Sequence, residues 1–173
     1  MKKEKSITLF IVDDNKIISL ALENMFKETF DEYETSISRF ETGEECLSRL
    51  NDVIPDVIIL DYHLTTNILG MDGISVLKKI KQVDKNIEVV MLSGEDKLEI
   101  AVECIKYGAR DYVIKNDSSF VRINQIVQNI AEHINVKTNL KKYTIWNWVF
   151  FGLIATFVIG EIIYLACYKY FLK

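Results

Sequence analysis

The chain has 173 residues, with 25 Asp and Glu against 21 Lys and Arg and a formal charge of −4. An acidic chain lacks the basic surface on which general nucleic-acid binding relies, so its charge disfavours that class of partner. The charge is unevenly spread: 19 of the 21 basic and 24 of the 25 acidic residues fall within residues 1–143, and the remainder holds only Lys169, Lys173 and Glu161. The composition therefore describes a polar folding unit followed by an apolar tail. The cysteines, Cys46, Cys104 and Cys167, fit no metal or disulfide spacing and read as small apolar residues in a reducing compartment. The amino terminus, MKKEKSITLF, lacks the long apolar stretch of a secretory signal.

Ile7–Val12 is a nearly continuous apolar run, as expected of a strand buried on both faces, and Asp13 and Asp14 follow it. Lys16–Phe30 has apolar residues at helical spacing. Tyr33–Phe40 alternates as a second strand. Thr42–Leu50 opens with acidic residues, as a helix start does. The only proline, Pro55, precedes a third apolar run that ends in Asp61. Gly70-Met-Asp-Gly73 breaks the chain before an amphipathic helix over Ile74–Val83. Ile87–Leu92 is a fourth run, followed by Ser93. Lys97–Tyr107 is helical in pattern and stops at Gly108, a C-terminal cap. Tyr112–Ile114 is a short fifth strand followed by Lys115. A last helical pattern covers Phe120 to about Lys142. Five strands alternating with five helices predict an α/β fold, a doubly wound five-stranded parallel sheet covered on both faces.

In an open sheet of this kind, ligands bind beyond the carboxyl ends of the strands. Asp13, Asp14, Asp61, Ser93 and Lys115 all stand at those ends. Singly, each has a simpler reading: an aspartate at a strand end is commonly a turn or cap residue, and a lone lysine a solvated one. Together they form a set. Three carboxylates held close repel one another, and a divalent cation with oxygen ligands, Mg²⁺ by preference, relieves that repulsion. The cation, Lys115, the Ser93 hydroxyl and loop amides would neutralise phosphoryl oxygens, with Asp61 as the carboxylate nucleophile.

The segments FIVDDN at 10–15, DVIILD at 56–61, GMDG at 70–73, VVMLSG at 89–94 and GARDYVIK at 108–115 carry a resemblance to the receiver domain of bacterial two-component response regulators. The resemblance implies a flavodoxin-like fold and phosphoryl transfer to an aspartate from a histidine kinase or phosphotransfer protein. It assigns the phosphoacceptor to Asp61, the direct Mg²⁺ ligand to Asp14 and its partner ligand to Asp13. It also assigns a backbone carbonyl ligand to His63, the switch hydroxyl to Ser93, the switch aromatic to Tyr112 and the phosphate-binding lysine to Lys115. No separate catalytic output is implied. The sequence departs from the family in three places. The loop between Asp61 and Gly73 is about four residues longer than usual and lacks its usual proline. Asn116 stands where a proline, often cis, is common. His63 and Glu95 occupy positions that shape water access to the phosphoryl group; a loop glutamate facing solvent and a partly exposed histidine are the plainer readings. His133 reads as a surface residue.

The tail, Ile145–Cys167, carries one charge, Glu161. As a helix at 1.5 Å per residue it would be about 35 Å long, enough for a hydrocarbon layer of roughly 30 Å. Trp146 and Trp148 at one end, with Tyr164, Tyr168 and Tyr170 at the other, form an aromatic-belt pattern. Lysines flank both ends, so charge gives little orientation. These features predict a receiver over 1–135, a helical linker over 136–144, a transmembrane helix over 145–168 and a short polar tail over 169–173. The bridge over 135–144, NVKTNLKKYT, contains neither Pro nor Gly; it reads as a continuous rod or as a frayed tether. Glu161 either lies near an interface or faces a partner helix. Gly152 and Gly160 lie near one face, which is compatible with a homodimer.

The expected function is a single-pass inner-membrane receiver facing the cytoplasm, phosphorylated on Asp61 and signalling through a phosphorylation-dependent protein interaction. A membrane-tethered receiver-fold scaffold without phosphorylation is the alternative. A transcription regulator would need a basic helix-turn-helix after the receiver, where the chain is apolar instead.

Overall fold

The computed structural model describes residues 5–64 and 71–171, except for the side chains of 137–147, 157–158, 161–163 and 165–171. The elements in chain order are β1 (Ser6–Val12), α1 (Lys16–Thr29), β2 (Glu34–Phe40), α2 (Gly43–Arg49), β3 (Val57–Asp61), α3 (Gly73–Val83), β4 (Glu88–Ser93), α4 (Leu98–Lys106), β5 (Asp111–Ile114) and α5 (Ser119–Phe171). The strands form one sheet in the order β2-β1-β3-β4-β5, and every pairing is parallel. This is the parallel α/β sheet that the alternation of apolar runs predicts, in the flavodoxin-like form that the resemblance implies. Two compact units divide the chain, Met1–Glu132 and His133–Lys173.

The central strands are apolar on both faces because both faces are covered. One set of alternating residues (Phe10, Val12, Ile58, Leu60, Val89 and Met91) packs with Cys46 and Leu50, with Ile74, Val76, Leu77 and Ile80 of α3, and with Cys104 of α4. The alternate set (Leu9, Ile11, Val57, Ile59, Val90 and Leu92) is equally buried, as are Leu22 and Phe26 of α1 and Ile123, Val127 and Ile130 of α5. Burial pushes the Cys46 thiol up to about 12 and the Cys104 thiol up to about 11, so both stay un-ionised at neutral pH and act as apolar residues. The side chain of Cys167 lies outside the description.

The helix ends follow local chemistry. Asn15 Oδ1 accepts from the amides of Ile17 and Ile18 at the start of α1. Thr42 Oγ1 accepts from Glu45 N at the start of α2, and Asp72 Oδ1 from Ser75 N at the start of α3. Helix α4 ends as expected at Gly108, whose φ of 96° suits the left-handed position after the cap. Gly108 N donates to Ile105 O and Ala109 N to Cys104 O, the two bonds of a Schellman ending.

In the second unit the helix continues through the expected linker to Phe171. Trp148, Phe150, Phe151, Leu153 and Tyr164 are exposed there. Among the described residues, no helix is long and apolar enough to cross a membrane. The span expected over 145–168 falls partly on side chains outside the description, Trp146 and Glu161 among them. Tyr168, Lys169 and Tyr170 of the flanks lie there too, as does the long loop at 65–70.

Asp56 ties three strands together at the opposite edge of the sheet from the candidate site. Its Oδ2 accepts from Thr8 N at 2.8 Å, its N–H donates to Thr8 O, and its carbonyl accepts from Glu88 N. Burial raises its carboxyl pKa above the ordinary value, against the lowering effect of the Thr8 hydrogen bond. A raised pKa means that this group's contribution to stability is complete below the ordinary carboxylate range and is lost as pH rises through the raised value. Asp56→Asn keeps an acceptor for Thr8 and removes the ionisation. Its melting temperature is expected to exceed that of the parent at pH 7, with the gap closing as pH falls to about 4; a lower melting temperature at pH 7 would contradict this account.

Candidate functional site

Asp61 is the last residue of β3, Ser93 the last of β4, Asp13 follows β1 and Lys115 follows β5. Parallel pairing places all four at one edge of the sheet. Asp13 is 2% exposed and Asp61 3%, so neither carboxylate is dispersed into solvent. Lys115 Nζ lies 3.0 Å from Asp13 Oδ2 and 2.8 Å from Asp61 Oδ2. Asp14 completes the cluster: one ligand oxygen from each of Asp13, Asp14 and Asp61 lies within 4.8 Å of the others.

Local bonds aim the carboxylates. Asp13 Oδ1 accepts from Asn15 N at 2.8 Å, leaving Oδ2 toward Lys115. Asp13 N donates to Phe40 O, fastening the end of β1 to β2. Asp61 Oδ1 accepts from His63 N at 3.2 Å, and Oδ2 faces Lys115. Burial raises the Asp61 carboxyl pKa, and the hydrogen bond and charge of Lys115 only partly offset it. Burial alone would lower the Lys115 ammonium, but the hydrogen bond and charge of Asp61, joined by Asp13, carry it above its ordinary value. Within the set, three carboxylates face one ammonium. That surplus of negative oxygen is the donor chemistry a hard divalent cation takes, so the residues fit Mg²⁺.

A second group of contacts lies beside the first. Ser93 is fully buried, and its Oγ accepts from Glu95 N at 3.0 Å. Tyr112 is turned inward, 7% exposed, and its hydroxyl donates to Glu95 O at 2.7 Å. The Glu95 carboxylate pairs with Lys97 at 2.7 Å and lies 3.6 Å from His63 Nε2. The His63 ring stands edge-on to Tyr62, with centroids 4.7 Å apart.

Asp13, Asp14, Asp61 and Lys115 therefore come together as their positions at strand ends suggest. Ser93 and Tyr112 are joined by a side-chain hydrogen bond and also through the backbone of Glu95, a junction that sequence reasoning missed. It also missed Lys97, whose position two residues beyond Glu95 was the available signal. The side chain of His63 reaches toward Glu95; its ligand role in the resemblance concerns the carbonyl. The peptide bond at Asn116 is trans, and Asn116 Oδ1 accepts from Ser118 N, turning the chain into α5.

Residues 9–130 match the response regulator receiver domain family. The chain is 29% identical to chemotaxis protein CheY of Listeria monocytogenes, over 63% of this chain and 86% of that one. It is 34% identical to the DNA-binding transcriptional regulator NtrC of Klebsiella pneumoniae, over 61% of this chain. The match to the regulatory protein AtoC of Escherichia coli is 28% identical over 81% of this chain. The matched parts span 21% of NtrC and 30% of AtoC. Among solved structures, the receiver domain of the Francisella response regulator 1452 superposes with a TM-score of 0.64 at 26% identity, covering 75% of this chain and 99% of that one. This chain belongs to the response regulator receiver domain family.

Proposed function

We propose that the protein is a membrane-anchored receiver that takes a phosphoryl group on Asp61 from a histidine kinase or phosphotransfer protein and signals by a changed protein interaction. The observation that carries the first part is the Lys115 bridge between Asp13 and Asp61, with Asp14 beside them, at the ligand-binding edge of a parallel sheet. Asp13, Asp14, Asp61 and the backbone carbonyl of His63 are the groups that would hold Mg²⁺, which when bound supplies positive charge near phosphoryl oxygens.

The chain's own residues account for the rest of the chemistry. An Asp61 oxygen attacks the donor phosphorus; an O–P bond forms as the donor's N–P bond breaks, and the bonding pair returns to the imidazole nitrogen. Lys115 holds Asp61 in place and offers positive charge to the incoming oxygens. Ser93 Oγ accepts a hydrogen bond from Glu95 N and shares one with the Tyr112 hydroxyl; on phosphorylation its hydroxyl turns to donate toward a phosphoryl oxygen. Such a shift pulls on the Glu95 backbone, which also holds the Tyr112 hydroxyl. That linkage is the route by which phosphorylation reaches the outer surface.

Membrane attachment rests on the sequence of 145–168, apolar but for Glu161, with aromatic residues at both ends. It sets the proposed location at the inner membrane with the receiver in the cytoplasm. The interacting partner is a protein rather than nucleic acid, in keeping with the acidic surface.

Three outcomes follow. Asp61→Asn is expected to abolish acid-labile, base-labile phosphate labelling by a histidine kinase; labelling equal to the parent would refute Asp61 as the acceptor, and a parent that takes no label would leave a receiver-fold scaffold as the function. Lys115→Ala leaves two nearly buried carboxylates without their cation, and is expected to lose about 3 kcal/mol of stability at pH 7 without divalent ions, regained in part on adding Mg²⁺. Denaturation in EDTA and in Mg²⁺ measures both, and an unchanged midpoint would contradict the role of the bridge. On fractionation, the full chain should stay with membranes through alkaline carbonate while residues 1–140 stay soluble; release of the full chain by carbonate would refute the anchor.

A further inference from the structure

Helix α3 begins directly on the backbone of the candidate phosphoacceptor. Gly73, its first residue, is buried, and its N–H donates to Tyr62 O at 3.0 Å. A Cβ at Gly73 would overlap the Asp61 carbonyl oxygen and stand 2.7 Å from Tyr62 Cα and 2.9 Å from Tyr62 O. Carbon atoms in good contact are about 3.5–4.0 Å apart, so an added methyl has no room. The obstacle is main chain, which no rotamer change can clear. Gly73 has no positive φ, so the need for glycine here is the close approach and not the backbone conformation.

The peptide it touches is held from the other side as well. Tyr62 N donates to Leu92 O of β4 at 2.8 Å, and His63 N donates to the Asp61 carboxylate. Residues 61–63 are thus clamped between β4 and the first turn of α3. The helix cannot readily back away, because Ile74, Val76, Leu77 and Ile80 anchor it in the core. Its entry is tied to α2 by Glu44 Oε1, which accepts from Met71 N at 3.1 Å.

We infer that Gly73 is a positioning residue for the Asp61 site: by letting α3 rest on the Asp61–Tyr62 peptide, it sets where the Asp61 carboxylate and the His63 carbonyl stand for Mg²⁺ and phosphate. This rests on the reading of the site given above. Groups that orient metal ligands typically change metal affinity 10- to 100-fold when disturbed.

Gly43 provides the comparison. It is the first residue of α2, and a Cβ there would overlap a methyl of Val76 in α3. Gly43→Ala crowds the same helix but touches no backbone of the site. The test uses the full chain, with Mg²⁺ affinity by calorimetry, phosphorylation by acetyl phosphate and thermal melting. Both glycine variants are expected to melt lower. Only Gly73→Ala should weaken Mg²⁺ binding, by about 10- to 100-fold, and slow phosphorylation. Parent-like Mg²⁺ affinity in Gly73→Ala, or equal losses in both variants, would overturn the inference. If Gly73→Ala does not fold, Glu44→Ala and Glu44→Gln take its place. Alanine frees Met71 N–H, whereas glutamine keeps an acceptor and removes only the charge. Weaker Mg²⁺ binding in Glu44→Ala than in Glu44→Gln supports the positioning role, and equal affinities refute it. A parent protein that binds no Mg²⁺ and takes no phosphate would remove the reading of the site itself, and the inference with it.

Discussion

Two nearly buried carboxylates sharing one ammonium constrain the receiver unit more than any other interaction. Lys115 lies 102 residues from Asp13 and 54 from Asp61, yet bonds both. That is possible only if β1, β3 and β5 end at the same edge. The register provides it: Val12 pairs with Leu60, Asp61 with Leu92 and Ser93 with Ile114. A slip of one residue would send each side chain to the opposite face of the sheet. The two-sided apolar core fixes the register, and the register assembles the charges. The charges in turn cost stability, since burial opposes ionisation of Asp61 and the single ammonium only partly offsets it. Such an imbalance suits a site whose working state includes a cation and a phosphoryl group.

Glu95 joins this charged centre to its surroundings. Its N–H meets Ser93, its carbonyl meets Tyr112, and its carboxylate meets Lys97 and lies near His63. A movement of Ser93 therefore cannot stay local. The exposed apolar residues Leu98, Val102 and Ile105 of α4 lie on the element that follows this loop. The clamp of Gly73 on the Asp61–Tyr62 peptide is the opposite kind of device, because it holds still the backbone from which the site is built.

Much of this was legible in the sequence, for a physical reason. Strands buried on both faces leave continuous apolar runs, so the first polar residue after each run marks the site edge; Asp13, Asp61, Ser93 and Lys115 were found in that way. Gly108 was legible because a helical pattern stopped at it. The Glu95 junction was not, because it depends on backbone groups in a loop that any residue type could supply. Gly73 was visible as a break in the chain, but its close approach to residue 61 depends on tertiary packing. The absence of Pro and Gly over 135–144 left a rod and a tether equally open, and the helix runs through this stretch to Phe171. The loop at 65–70 and many side chains of the apolar tail lie outside the description, so their reading still rests on composition.

The central claim is that Asp61, among the clustered carboxylates, becomes the acyl phosphate. The most direct measurement is borohydride reduction of the full-length protein after reaction with acetyl phosphate and Mg²⁺, followed by peptide mass spectrometry. Reduction converts a phosphorylated aspartate to homoserine and leaves free carboxylates unchanged. The account predicts homoserine at position 61 and aspartate at 13 and 14. Homoserine at 13 or 14, or intact aspartate at all three positions, would contradict it.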